Sequence, residues 1–246
     1  MKIADLHAAW RAWPVTAPAE MTGGKPFVVI SPHPDDESLG MGGTIASCRA
    51  AGVDVRVVVV TDGAKSHPNS KTYPADRLAA LRRAEVEAAG ECLGLAAGAV
   101  THLDLPDAAV PMDGLAFDAA VAHLAAVVDQ SHAAAVFVTW GGDPHCDHEA
   151  AAAMARRLRE HRPGIAFWCY PIWGWHLDGD ASIEMPVPQG FRVDVAPWLP
   201  AKRRAIEAHA SQMTAFIDDD PEGFRFTPDK LAPFLQPVET VFEMPT

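Results

Sequence analysis

Five short apolar runs, separated by stretches of helical periodicity, limit the folds open to this chain more than any other feature. The runs that look like buried strands lie at residues 27–31, 53–61, 99–103, 135–140 and 165–170. The helices predicted between them lie at about 41–51, 76–94, 115–131 and 148–161. Strands that alternate with helices are typical of a parallel sheet covered on both faces. The sequence therefore predicts an α/β fold, a three-layer αβα Rossmann-like sandwich with a mostly parallel sheet.

The whole chain, residues 1–246, is predicted to form a single domain. Its parts are an N-terminal extension (1–26), the parallel αβα core (27–172) and a region of C-terminal loops with one helix (173–246). The extension is expected to be amphipathic, with Trp10 and Trp13 as its apolar anchors. The helix of the C-terminal region is predicted from Lys202 to Phe216.

The composition argues against several classes of partner and location. The formal net charge of −12 opposes binding to nucleic acid or anionic membrane surfaces, because those partners require clustered Lys and Arg. No apolar stretch approaches the roughly 18 residues that a membrane-spanning helix needs. The N-terminus carries Asp5 and Arg11 where a secretory signal would be continuously apolar, so a cytoplasmic location is expected. The four cysteines include no C-x-x-C pair, which favours buried free thiols.

The first predicted strand ends in an unusually polar segment, SPHPDDE at residues 31–37. A histidine and three carboxylates are costly to desolvate at the end of a buried strand unless they are paired or bind a metal. His33 and Asp36 are three residues apart, a spacing that lets an imidazole nitrogen and a carboxylate oxygen converge on one cation. Two ligands do not make a site, so a third is expected from another strand end.

A second polar segment, GGDPHCDHEA, follows the fourth predicted strand and supplies His145, Asp147 and His148. Ligands of parallel α/β sheets gather at the carboxyl ends of the strands. Catalytic zinc sites commonly use three protein ligands and keep a fourth position open for water. Two histidines and one carboxylate from the two segments fit that pattern. The same donor set also describes non-haem iron sites, so Fe²⁺ stays open as the metal.

The glycine-rich stretch Gly40–Ile45, GMGGTI, is a poor match to a dinucleotide fingerprint. It contains the first two glycines of G-x-G-x-x-G, but Ile45 stands where the third belongs, and no tight turn joins it to the strand. These glycines are instead predicted to let the first helix pack closely against the sheet.

Together these segments resemble the LmbE-like (PIG-L) zinc-dependent de-N-acetylases. The hallmarks of that family are a P-H-P-D-D-E loop after the first strand and a later H-P-D-H, and this chain has SPHPDDE and HCDH. The resemblance extends to VVVTDGAKS after the second strand and to KRRAIEAHASQ at residues 202–212. It covers most of residues 27–212 and leaves both termini unmatched.

The resemblance implies a metal site and a general base. By it, His33, Asp36 and His148 are the ligands of one Zn²⁺ ion per chain. Asp35 is then the base that deprotonates the zinc-bound water. The physical logic is that zinc lowers the pKa of bound water from 15.7 to about 7, and an adjacent carboxylate can take the proton.

The resemblance also implies roles for residues around the scissile amide. A protonated His145 would face the carbonyl group, with Asp147 orienting its ring and favouring the protonated form. Arg82 resembles the arginine that binds substrate hydroxyls in the family. Asp62 and Gly63 match the T-x-G turn that shapes the substrate pocket.

One departure from the family lies at Cys146, where the family usually has proline. The thiol could be a fourth metal ligand, an oxidation-sensitive group or a space-filling residue. Adjacent residues point in different directions and free cysteine behaves as a small buried hydrophobe, so the last interpretation is favoured.

The predicted function is metal-dependent hydrolysis that removes an N-acetyl or other N-acyl group from a glucosamine-containing small molecule. The expected partner is thus an acylated amino sugar or glycoside, and a homo-oligomer stays open. One alternative is a zinc amidase that acts on a non-sugar amide or conjugate. Another is a catalytically silent metal- or sugar-binding module, which the presence of Asp35 and His145 argues against.

Overall fold

The computed structural model of the chain describes residues 1–185 and 187–245. The strands are β1 (Val15–Thr16), β2 (Phe27–Ser31), β3 (Val55–Thr61), β4 (Val100–Leu105), β5 (Ala135–Thr139), β6 (Ala166–Tyr170), β7 (Gly190–Asp194) and β8 (Val238–Glu243). The helices are α1 (Ile3–Ala12), α2 (Pro18–Thr22), α3 (Asp36–Ala50), α4 (Ala75–Cys92), α5 (Gly114–Gln130), α6 (Cys146–His161), α7 (Leu199–Ala208), α8 (Ala210–Met213) and α9 (Pro228–Leu231). Within the described residues, these strands form one eight-stranded sheet in the order β1-β7-β8-β6-β5-β2-β3-β4.

The sheet is mostly parallel, as the sequence predicts. Strand β2 lies at its centre and pairs in parallel with β3 on one side and β5 on the other. The predicted strands and helices of the core are all present, with ends shifted by a few residues. The α/β prediction of a three-layer αβα sandwich is therefore confirmed.

The C-terminal region is more regular than predicted. It adds β7 and β8 to the sheet, and β8 runs antiparallel to both β6 and β7. The predicted single helix from Lys202 to Phe216 is wrong, because α7 ends at Ala208 and a short α8 begins at Ala210 after a break at His209. The strands were missed because both are short and carry polar residues along with apolar ones.

Two apolar cores lie on the two faces of the sheet. Successive side chains of a strand point to opposite faces. Accordingly, Val28 and Ile30 of β2 join one core with α5 and α6, whereas Phe27 and Val29 join the other with α3, α4 and α7. All four side chains are completely buried, and each such burial is worth about 1.5–3 kcal/mol. Within the described residues, no helix is both long and apolar enough to cross a bilayer.

The glycine-rich stretch lets α3 approach its neighbours closely. A Cβ atom on Gly40 would overlap the ring of Tyr170, and one on Gly43 would overlap the side chain of Val195. These contacts leave no room for larger residues, which is the packing role predicted for the stretch.

The N-terminal extension is held to the body by its tryptophans, as predicted. Trp10 of α1 is completely buried, and its ring meets that of Trp140 edge-on with centroids 5.7 Å apart. Trp13 is half-buried and its ring centroid lies 5.8 Å from that of Phe242. Strand β1 then pairs in parallel with β7 at the edge of the sheet.

The two polar segments leave the sheet side by side. Strands β2 and β5 are adjacent, and Ile30 pairs with Val138. Their carboxyl ends therefore lie at the same edge, while β2 connects to β3 on its other side. Such a point, where the strand order reverses, is where parallel α/β sheets bind ligands. After β2 the chain forms α3, β3, α4, β4 and α5 before it returns to the sheet as β5. The polar residues that follow β2 and β5 therefore meet.

Candidate active site

The first polar segment forms the turn between β2 and α3. Helix α3 begins at Asp36, five residues earlier than predicted, so the segment ends inside the first helical turn. The Asp36 Oδ2 atom accepts the backbone N–H of His33 at 3.0 Å and lies 3.3 Å from His33 Nδ1. The same oxygen lies 3.3 Å from Nε2 of His148. The two expected histidine ligands and the expected carboxylate ligand are thus brought together.

The second polar segment holds His148 through an aspartate that the sequence analysis did not single out. Asp143 is buried, and its Oδ2 accepts a hydrogen bond from His148 Nδ1 at 2.9 Å. Backbone N–H groups of Ile172 and Gly174 donate to the same carboxylate at 3.0 and 2.7 Å. In the neutral form of His148 this contact keeps the proton on Nδ1, and the lone pair of Nε2 then faces Asp36.

His33 is oriented by two further carboxylates. Its Nε2 lies 3.2 Å from Asp147 Oδ2 and 3.4 Å from Asp107 Oδ1. Asp147 is itself fixed by the backbone N–H groups of Ala108, at 2.7 Å, and Val110, at 3.3 Å. A carboxylate on the far nitrogen of a ligating histidine fixes the ring and its tautomer, as is common at metal sites.

The donors of this cluster fit a divalent cation. His148 Nε2 is buried and, among the described residues, has no hydrogen-bond partner despite its closeness to Asp36. Burial alone would lower the pKa of His148, but the charge of Asp36 and the contact with Asp143 raise it to about 9. Burial opposes ionisation of Asp36 as well, yet His148 and His33 hold the pKa of that carboxyl well below its usual range. The cluster therefore attracts positive charge, and nitrogen and carboxylate donors suit Zn²⁺ or Fe²⁺.

Asp35 lies beside this cluster and is paired with Arg82. Arg82 Nη2 donates to Asp35 Oδ2 at 3.0 Å, and both side chains are almost completely buried. Burial raises the pKa of Asp35 to about 6, against the lowering effect of the Arg82 charge. A carboxylate with a pKa near neutrality is suited to accept and return a proton.

His145 caps the N-terminus of α6. Its Nδ1 accepts the backbone N–H of Asp147 at 3.2 Å, which leaves the ring proton on Nε2. Burial, together with the charges of His33 and His148, lowers the pKa of His145 to about 4. The Asp147 carboxylate, expected to orient this ring and favour its protonated form, lies 4.0 Å from Nδ1 and is closer to His33.

The expected substrate residues lie around the Asp35 pair. Arg82 Nη1 donates to the carbonyl oxygen of Gly63 at 3.0 Å, where a φ of +66° suits glycine. Asp62 Oδ1 accepts the backbone N–H groups of Ala64 and Asp107. Gly63 and Asp62 therefore shape the turn that holds Arg82 and Asp107. Arg82 and Asp107 line the pocket, whereas Asp62 and Gly63 are not part of its lining.

A pocket of about 320 Å³ opens onto these groups. Its lining comprises His33, Asp35, Asp36, Lys65, Ser66, Arg82, Asp107, Ala108, His145, Trp173, Gln212, Phe224 and Phe226. One wall is aromatic: the rings of Trp173 and Phe226 are stacked with centroids 5.6 Å apart, and Phe224 meets both edge-on. The pocket thus has charged residues at one end and an aromatic wall at the other.

Sequence reasoning missed several residues of the site. Asp107 follows β4 at the same edge of the sheet, and Asp143 lies inside the second polar segment. Their position after strand ends was a usable signal, but their partners depend on contacts between distant segments. Phe224 and Phe226 come from the C-terminal region, where the sequence pattern gave no indication of a site.

Cys146 differs from its prediction as a buried thiol. Its side chain is exposed, and its Sγ lies 3.7 Å from Asp147 Oδ1. It is the first residue of α6, and the two residues that follow it, Asp147 and His148, are buried. Of the other cysteines, Cys48 and Cys169 are buried as expected.

Comparisons with known proteins agree with this geometry. The sequence pattern of the PIG-L family, described as GlcNAc-PI de-N-acetylase, matches residues 28–158. A protein of Mycolicibacterium smegmatis named 1D-myo-inositol 2-acetamido-2-deoxy-alpha-D-glucopyranoside deacetylase is 31% identical over 236 aligned residues. That alignment covers 78% of this chain and 81% of the relative.

Solved structures share the fold. The N,N'-diacetylchitobiose deacetylase from Pyrococcus horikoshii superposes with a TM-score of 0.63 at 23% identity, covering 94% of this chain and 81% of that one. The 4-carboxy-2-hydroxymuconate hydratase from Pseudomonas putida KT2440 also gives a TM-score of 0.63, at 18% identity, with 89% and 94% covered. Because the second protein is a hydratase, the fold alone does not fix the reaction.

Proposed function

The chain belongs to the PIG-L family of GlcNAc-PI de-N-acetylases, and we propose that it removes an N-acetyl group from a glucosamine-containing small molecule with one bound divalent metal ion. The observation that carries the proposal is the meeting of His33, Asp36 and His148 beside the buried pair of Asp35 and Arg82. The relative from Mycolicibacterium smegmatis, named for deacetylating an acetamido sugar joined to inositol, supports this substrate class.

The metal would be held by His33, Asp36 and His148. Asp143 and Asp147 would keep the two histidines in the tautomers that present their lone pairs to it. When bound, Zn²⁺ supplies a Lewis acid that lowers the pKa of water from 15.7 to about 7 and polarises the amide carbonyl. Fe²⁺ would be accepted by the same donors.

Asp35 is proposed as the general base. Its carboxylate lines the pocket, and the ion pair with Arg82 fixes one oxygen at 3.0 Å from the guanidinium. It would take the proton of the attacking water and return it to the departing amine nitrogen. Both N–H groups of Arg82 Nη2 are used by Asp35 and the carbonyl of Pro34, and one N–H of Nη1 is used by Gly63, so a sugar hydroxyl would be bound by the remaining N–H of Nη1.

His145 is proposed as the donor to the carbonyl oxygen. Because its Nδ1 accepts the backbone N–H of Asp147, its Nε2–H is the free donor of the ring. Negative charge develops on the carbonyl oxygen during attack, so a fixed donor there lowers the barrier. His145 lies on the pocket lining together with Asp35, as this role requires.

A second candidate is hydrolysis of a non-sugar amide. The aromatic wall formed by Trp173, Phe224 and Phe226 favours it, because such a wall would also bind an apolar or aromatic acyl conjugate. The catalytic groups would act in the same way on either amide.

The test is an amine-release assay on the metal-loaded chain with both substrate classes. We expect N-acetylglucosaminides to release amine faster than non-sugar acyl amides, and elemental analysis to find one zinc or iron ion per chain. Removal of the metal with a chelator should abolish the activity, and its return should restore it. Faster release from the non-sugar amides would favour the second candidate.

The Asp35→Asn variant is the control for the chemical step. We expect its activity to fall by about 10²-fold or more, because general base catalysis is lost while the ligands remain. Its metal content should equal that of the wild-type chain. Activity at the wild-type rate in this variant would contradict the role of Asp35.

A further inference from the structure

His209, from the C-terminal region of the chain, contacts the turn between β2 and α3 that carries the proposed base, here called the catalytic turn. It sits at the break between α7 and α8, and its side chain is completely buried. Its Nε2 lies 3.3 Å from Ser38 Oγ and 3.4 Å from Glu37 Oε1, both at the start of α3. The break in the helix is what turns this imidazole towards the catalytic turn, 171 residues away from Ser38 in sequence.

Glu37 connects His209 to the backbone of the proposed base. Its Oε2 accepts the backbone N–H of Asp35 at 3.2 Å and the hydroxyl of Ser31 at 2.9 Å. Its Oε1 accepts the hydroxyl of Ser38 at 2.7 Å. A single buried carboxylate thus ties Asp35, the end of β2 and the start of α3 together.

That carboxylate depends on a cationic partner. Glu37 is only 2% exposed, and a buried charge is strongly destabilised when its partner is removed. Burial alone would lower the pKa of His209, but the contact with Glu37 raises it, which is consistent with a charged donor. Without His209, the Glu37 side chain would lose a contact that holds it in place and would be free to turn away from the N–H of Asp35.

We propose that His209 and Glu37 are positioning residues that fix the backbone of Asp35 at the angle needed for proton transfer. Arg82 holds the Asp35 carboxylate from the pocket side, and the His209–Glu37 pair holds its backbone from the protein interior. The inference rests on the proposed function, since it concerns the same base. It assigns the C-terminal segment a part in the reaction rather than in packing alone.

The test compares His209→Leu with His209→Gln in the metal-loaded chain. We expect His209→Leu to lower kcat by about 10- to 100-fold with KM and metal content unchanged, as for other residues that orient active-site groups. His209→Gln keeps an N–H donor of similar reach and should recover most of kcat. If the leucine substitution prevents folding, His209→Gln is the variant whose activity can still be measured.

The decisive measurement repeats His209→Leu in an Asp35→Asn background. If His209 acts through Asp35, the residual activity of the Asp35→Asn chain should not fall further. A fall by the same factor as in the wild-type background would overturn the inference, because the two effects would be independent. Wild-type kcat in both His209 variants would overturn it as well.

The matched control is His102→Gln. His102 forms a similar contact, with Nε2 at 3.1 Å from Glu87 Oε1, outside the pocket. Its substitution should leave kcat unchanged. The wild-type chain tests the proposed function separately. If the wild type hydrolyses the amide and His209→Leu has the same kcat, only this inference is contradicted. If the wild type is inactive, the proposed function and this inference are both contradicted.

Discussion

The two polar segments that build the site differ in how deeply they lie. Every residue from 31 to 37 is buried, whereas the segment from 141 to 148 alternates buried residues with exposed ones such as Gly142 and Cys146. The first segment carries the proposed base Asp35 and the carboxylate of Asp36 that contacts both histidines, and hydrogen bonds fix it from several directions. The second has buried residues that hold the proposed ligands and exposed residues that face solvent. Tolerance to substitution should therefore be uniform and low in the first segment and should alternate in the second.

The largest effect is expected for His148, which is completely buried in the second segment. His148→Ala removes a ligand that is completely buried, so the metal content should fall to background and the activity with it. Elemental analysis of the purified variant together with the amine-release assay checks this. His123→Ala, an exposed histidine on α5, is the matched control and should retain metal. Full metal occupancy in His148→Ala would show that the ligand set is different.

A smaller loss is expected for His145, which is partly exposed in the same segment. His145→Gln should lower kcat by about 10²- to 10³-fold, because a donor to the developing oxyanion is displaced. KM and metal content should change little, since His145 is not in the proposed ligand set. Kinetic measurements on the metal-loaded variant give kcat and KM separately. Loss of metal in this variant would indicate that His145 binds the metal rather than the carbonyl oxygen.

Substitution of Asp143 tests the hydrogen bond that orients His148. Asp143→Asn keeps an acceptor for His148 Nδ1 but removes the charge, so metal affinity should fall by about 10- to 100-fold. A competition titration with a chromogenic chelator measures this affinity. An unchanged affinity would mean that backbone contacts alone hold His148 in place.

The smallest effect is expected for Cys146, an exposed residue of the second segment. Cys146→Ala should change kcat by no more than about twofold and stability by less than about 0.5 kcal/mol, as is usual for exposed positions. The assay and a thermal unfolding curve suffice as measurements. A marked loss of metal in this variant would instead identify the thiol as a ligand. The exposed residues of the second segment would then not be the tolerant ones.

These two segments were largely predictable, because each follows an apolar strand and concentrates groups that are costly to bury. The strands of the sheet core were predictable because they are apolar runs separated by helical patterns, whereas their order in the sheet was not predicted. The contacts of Asp107 and Asp143 were not predictable, since the tautomer of each histidine depends on carboxylates that reach it only in the folded chain. The contacts of His209 were not predictable either, because nothing in its local sequence indicates that its helix breaks there.

The placement of β2 next to β5 also sets when the centre can be completed during synthesis. His33 and Asp147 are 114 residues apart along the chain. Synthesis proceeds from the N-terminus, so the acidic turn after β2 emerges well before His148, whose imidazole lies against Asp36. A nascent chain therefore passes through a stage with two of the three proposed metal ligands, and the proposed site is complete only after β5 and α6 have docked.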